Sequence, residues 1–307
     1  MGLYASILPL IAYALLGTSR TLSVGPVAVV SLMTATAVGN VAQGGTADYA
    51  AAAIVMAMIS GLMLLLMGVL RFGFLANFLS HPVVSGFITA SGIIIALSQL
   101  RHILGIQGHG DTLIELGQSL LQDLASWNPV TLATGLAAMV FLFWARKGLQ
   151  PLLRGMGMSA DTAGIAAKAG PVFIILATTW ASYLGDFSSR GVALVGEVPQ
   201  GLPSLSAPSF DLQLWSELAV SAMLISIIGF VESVSVGKTL AAKRRQRIDP
   251  NQELVALGAA NMASGVSGGF PVTGGFSRSI VNFDAGAQTP AASIFAAIGI
   301  ALAALLL

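Results

Sequence analysis

Tyr49–Leu70 runs without a single charged residue and stops at Arg71. It is long enough to cross a hydrocarbon core as one helix of about 20 residues. Similar stretches recur at Pro82–Leu100, Val130–Ala145, Pro171–Leu184, Leu212–Val236 and Thr289–Leu307. A chain of this pattern is a polytopic membrane protein. Its spans are helices, because β-barrel strands would alternate in polarity over about ten residues. Composition agrees: 9% of the residues are charged and 55% hydrophobic, against about 25% charged in soluble domains. There is no cysteine, which removes disulfides and thiolate metal sites.

Two stretches break the pattern. Gly268–Asn282 packs glycines, Pro271, Thr273, Ser277, Ser279 and Arg278 between apolar flanks. An arginine near the bilayer centre costs roughly 2.5 kcal/mol or more. Glycine and proline there free backbone N–H groups, which are tolerated only against protein or a wet cavity. A helix starting at about Thr273 aims those groups and its positive dipole end into the cavity, which makes an anion site. The second break is Ser23-Val24-Gly25-Pro26, followed by the short apolar run Val27–Val38. Proline is favourable in a first helical turn, so Val27–Val38 reads as a half-helix with an exposed N-terminus. Paired short segments point to an inverted-repeat transporter with its substrate between two half-helix N-termini. Ordinary kinked helices or re-entrant loops without a ligand are the plain alternative.

The remaining runs are Leu3–Leu16, which is short for a span, and the small-residue stretch Asn251–Val266. Asp111–Trp127 is polar enough to lie at the interface or outside, and Asp186–Asp211 reads as a loop with turn chemistry throughout. About ten segments insert, the half-helices included. Arg20, Arg71, Arg146, Lys147, Arg154, Lys168 and Lys238–Arg247 fall on one side of the spans. The excess of Lys and Arg makes that side cytoplasmic. The basic run Lys243–Arg247 is read as a topology signal, not a nucleic-acid patch.

Gly2-Leu3-Tyr4-Ala5-Ser6, Gly17-Thr18-Ser19-Arg20, Ser23–Leu32 and Gly275–Asn282 resemble the sulfate permease (SulP) family. Asn251-Gln252-Glu253-Leu254 with Gly258 and Asn261, and Gly196–Pro203, are similar to its pattern too. The resemblance implies an all-α, inverted-repeat (7+7, uracil-permease-like) fold, with the two short segments third and tenth. It implies one transmembrane transport domain over residues 1–307, without the family's first helix, its last three segments and its cytoplasmic STAS domain.

The function implied is secondary active transport of an anion across the plasma membrane by proton symport or anion exchange. Sulfate comes first, then bicarbonate, chloride or a dicarboxylate. The implied partners are the small anion, a coupling proton, the lipid bilayer and a second copy, since the family is commonly dimeric. No cofactor, metal or nucleic acid is expected. The expected binding groups are Pro26, Val27, Ala28, Gly275, Phe276, Ser277 and Arg278, mostly through backbone N–H groups. Ser277 adds a hydroxyl donor and Arg278 a charge. Glu232 is similar to the family's carboxylate of the eighth segment and is the expected coupling group; neutralising Arg278 is its bland role. Val236 and Phe276 stand where sodium-coupled bicarbonate members have hydroxyls, which argues against sodium.

Glu253 at a helix start reads as structural, and Asp284 as a cap on the tenth segment. His81, His102 and His109 lie at span ends without metal-ligand spacing. Three rivals stand. A hydrolase built on Ser277 lacks a facing base and a nucleophile elbow. A nucleobase permease of the same fold fits Arg278 poorly. The third is a fragment that does not transport.

Overall fold

The computed structural model describes residues 2–42, 46–77, 81–106, 108, 113–196, 201–203 and 205–306. They divide into two compact units: Met1–Ile88 with Val198–Leu307, and Thr89–Glu197.

The first unit opens with a short 3-10 turn, Tyr4–Ser6, and the helix α1 (Leu8–Leu16). A two-residue strand β1 (Val24–Gly25) follows, then α2 (Ala28–Val41) and α3 (Thr46–Val69). The helix α4 (His81–Leu104) leaves this unit. The chain returns with α9 (Leu212–Lys243), α10 (Pro250–Val266), β2 (Thr273–Gly274), α11 (Phe276–Ala285) and α12 (Ala291–Leu306).

Small residues let α3 and α10 pack almost backbone to backbone. A Cβ on Gly258 would sit 2.9 Å from the Gly61 carbonyl, and one on Gly61 the same distance from the Gly258 carbonyl. Such close approach is what membrane helices use where apolar burial gives no drive. Ser60 and Ser226 tie α3 to α9 by a 2.8 Å hydroxyl contact. Around this frame lie two buried clusters. One includes Tyr13, Leu22, Phe230, Leu254 and Leu257. The other includes Val30, Met56, Leu218 and Ile225.

The second unit holds α5 (Leu113–Gln122), α6 (Pro129–Gly155), α7 (Ala160–Lys168) and α8 (Gly170–Leu184). The segment expected at the interface is α5, with Leu116 and Leu120 buried beside Ile106. Where an end at Ala145 is expected, α6 continues through Arg146, Lys147 and Pro151. A charged side chain limits the apolar run but leaves the helix's own backbone hydrogen bonds intact. Between α7 and α8 the chain bends by 55°.

Among the described residues, α6, α9 and Asp48–Val69 within α3 are long and apolar enough to cross a membrane, and the bent pair α7–α8 makes a fourth. His109, Asp111 and the Glu197–Gln200 part of the loop motif lie outside the described residues.

Candidate anion site

The two broken stretches meet. β1 and β2 pair antiparallel, with Val24 opposite Gly274 and Gly25 opposite Thr273. Each strand leads into a half-helix, so α2 and α11 both start at this pair. The expected start at Thr273 is corrected here: Thr273 and Gly274 are strand, and α11 begins at Phe276.

Among the described residues, no side chain caps either half-helix. Asn128, Ser159, Asp211 and Asp249 accept hydrogen bonds from the first turns of α6, α7, α9 and α10. α2 instead leaves extended backbone at Val27, and α11 leaves it at Gly275, without a capping side chain. The first backbone bonds inside them come from Ser31 to Val27 and from Ser279 to Gly275. The N–H groups of Ala28, Val29 and Val30, and of Phe276, Ser277 and Arg278, therefore have no partner within their helices. The two starts are close: a Cβ on Gly275 would lie 2.9 Å from Val27 Cγ2.

A frame of side chains holds the strand pair in place. The Ser233 hydroxyl accepts from the Gly274 N–H at 2.8 Å and contacts Thr273 Oγ1 at 2.6 Å. Thr273 also donates to the Gly229 carbonyl at 2.6 Å. The amide of Asn261 donates to the Val272 carbonyl and accepts from the Val272 N–H, pinning the approach to β2 from α10. On α11, Ser279 Oγ accepts from the Ser23 N–H at 3.0 Å, and Asn282 donates to the Thr21 carbonyl at 3.0 Å. Glu253, fully buried, accepts from the Tyr13 hydroxyl, the Thr18 hydroxyl and the Thr18 and Ser19 N–H groups. It fixes the turn that leads into β1, the structural part expected of it.

Arg278 folds back over β1. A Cβ on Gly25 would collide with Arg278 Nη1. Its Nη2 donates to Ser6 Oγ at 3.2 Å. Ser277 and Arg278 line a cavity of about 510 Å³ with Ser23, Asn282, Val281 and small residues of α12.

Gly275 is corrected as a donor, because its N–H goes to the Ser23 carbonyl at 3.3 Å. It serves by leaving room for the Val27 side chain. Ala28 and Ser277 are exposed, Pro26, Val27, Phe276 and Arg278 half-buried. Phe276 packs against the core cluster. Glu232 is 4% exposed, and among the described residues its Oε2 has no hydrogen-bond partner. It sits beside Ser233, while Arg278 donates to Ser6. Asp284 lies inside α11; the helix is ended by Gly286 at φ +99°. His81 opens α4 and His102 stands in its last turn.

The sulfate permease family model matches residues 1–307. The chain belongs to the sulfate permease family. It is 37% identical over 293 residues to the chloroplastic sulfate transporter 4.1 of Arabidopsis thaliana, covering 94% of this chain and 41% of that protein. A probable sulfate transporter of Mycobacterium tuberculosis is 33% identical over 299 residues, covering 96% and 50%. The chain thus spans half or less of the length of these relatives.

Two solved folds are similar. The transmembrane domain of the cyanobacterium bicarbonate transporter BicA superposes with a TM-score of 0.70 at 20% identity, over 99% of this chain and 74% of that one. Murine solute carrier 26 family member A9 does so with a TM-score of 0.77 at 23% identity, over 99% and 51%. The sulfate permease fold is therefore an all-α inverted-repeat membrane fold, and α2 and α11 are its two half-helices. The relatives are transporters by name, not enzymes.

Proposed function

We propose that the chain carries the substrate site of a secondary transporter for small oxyanions, with sulfate first. The observation that carries this is the pair of uncapped first turns of α2 and α11, set side by side by β1–β2 with the Arg278 guanidinium beside them. Free N–H groups at helix N-termini favour negative charge, and a membrane interior strengthens the preference. The anion sits against the N–H groups of Ala28, Phe276 and Ser277. Ser277 donates its hydroxyl, and Arg278 balances the charge. The sulfate transporters among the relatives support the choice of anion, and BicA supports bicarbonate as the next candidate.

Glu232 is the proposed coupling group. It is a buried carboxyl next to the residue that holds β2. A carboxyl in such surroundings can take up a proton when the anion enters and release it afterwards. The membrane is proposed to be the plasma membrane and the working unit a homodimer.

The test is uptake of labelled sulfate, bicarbonate and fumarate into proteoliposomes, with and without an inward proton gradient, for this chain and Arg278→Ala. Saturable sulfate uptake, accelerated by inward protons and lost in the variant, is the expected result. Uptake that survives Arg278→Ala unchanged would overturn the site. Uptake indifferent to pH, in the parent and in Glu232→Gln alike, would leave anion exchange and remove Glu232 from coupling.

A further inference from the structure

One helix, α9, holds α11 at both ends. At the near end Ser233 and Gly229 bind Gly274 and Thr273, the residues that lead into α11. At the far end stands Arg244, which closes α9. Its Nη2 donates to the Phe283 carbonyl at 2.8 Å, and its Nη1 donates to the Ala287 carbonyl. The guanidinium lies 4.0 Å over the Phe283 ring, and the Lys243 ammonium stands 5.8 Å from the same ring.

The spacing fits. Ser233 and Arg244 are about three turns apart, so they share one face of α9, roughly 16 Å from end to end. The half-helix α11 has 10 residues and is about 15 Å long. Its carbonyl end is the negative pole, where a cation is stabilised. A guanidinium fork that binds two carbonyls also fixes direction, which a single ammonium does not.

We propose that Arg244 is a positioning residue for the anion site. It fixes the far end of α11, so the N–H groups of Phe276, Ser277 and Arg278 keep their aim on the oxyanion. The inference rests on the reading of α2 and α11 as the substrate site. A tilt of about ten degrees displaces one end of such a helix by roughly 2–3 Å relative to the other. Binding groups lose much of their effect when misplaced by about 1 Å.

The experiment compares Arg244→Ala, Arg244→Lys, Phe283→Leu and Arg278→Ala in this chain. Sulfate affinity is read by equilibrium binding, folding by thermal unfolding, and hydrogen exchange on peptides covering residues 270–285. Arg244→Ala is expected to weaken sulfate binding about three- to tenfold, the loss of a charge-assisted contact, in a chain that still melts cooperatively. Exchange should quicken at Phe276–Arg278 as well as near Phe283. Arg244→Lys should restore part of the affinity, and Phe283→Leu should mimic a milder Arg244→Ala.

Unchanged affinity in Arg244→Ala, while Arg278→Ala loses binding, overturns the proposal and leaves the site standing. Quickened exchange confined to the far end also overturns it. If neither the parent nor any variant binds sulfate, the substrate reading fails. The exchange pattern then still decides whether Arg244 orders the start of α11.

Discussion

Gly25 and Arg278 compete for one volume: a Cβ on the glycine would collide with Nη1 of the arginine. Hydrogen at that position is what lets the guanidinium lie over β1. Gly25→Ala should therefore act as a partial Arg278 deletion, since the arginine must swing away. Sulfate binding is expected to fall in Gly25→Ala and in Arg278→Ala, with the double variant no worse than Arg278→Ala alone. Additive losses would show that the two residues act independently.

Ser233 joins α9 to β2 by accepting from the Gly274 N–H and touching Thr273 Oγ1. Ser233→Ala leaves that buried N–H without its acceptor, at a cost of about 1–3 kcal/mol. A lowered melting temperature together with weaker sulfate binding is the expected outcome. Full stability and affinity in the variant would show that the strand pair holds without this hydroxyl.

Glu253 gathers four donors from α1 and the turn after it. Glu253→Ala strands the donors from Thr18 and Ser19, whereas Tyr13→Phe removes one bond worth about 1–2 kcal/mol. Thermal unfolding should rank the losses with Glu253→Ala well above Tyr13→Phe. The reverse order would mean that Tyr13 packs α1 by itself.

Much of this arrangement was legible in the sequence, and the limits have physical causes. Short segments opening at Gly25-Pro26 and at about Thr273 announced two half-helices, because glycine and proline punctuate helices locally. The pairing of Val24–Gly25 with Thr273–Gly274 was not legible, since two residues carry no alternation to read. Gly286 ends α11 where Asp284 was expected, although a glycine at a helix end is the ordinary signal. Arg146 and Lys147 did not end α6, because charge ends a membrane span without ending the helix. Arg244 was read as one basic residue among several. Nothing local in its sequence tells that its guanidinium reaches Phe283.

The native chain has no cysteine, so its orientation can be mapped directly with single cysteines. Arg245→Cys should react with an impermeant maleimide only from the cytoplasmic side, and Phe210→Cys only from the opposite side. Both are exposed positions at opposite ends of α9. Labelling from the reversed sides would invert the topology inferred from the lysine and arginine distribution.

The bond between Ser23 and Ser279 joins residues 256 positions apart, and the β1–β2 pair spans almost the same distance. A ribosome adding about 5–20 residues per second needs roughly 13–50 s to travel between them. For that interval α2 waits in the bilayer with its first turn bare and its partner unmade. The strand pair therefore cannot form until Thr273 and Gly274 have been made. Any device that shelters an unfinished half-helix, whether lipid headgroup, water or insertion machinery, acts on this chain before the strand pair closes.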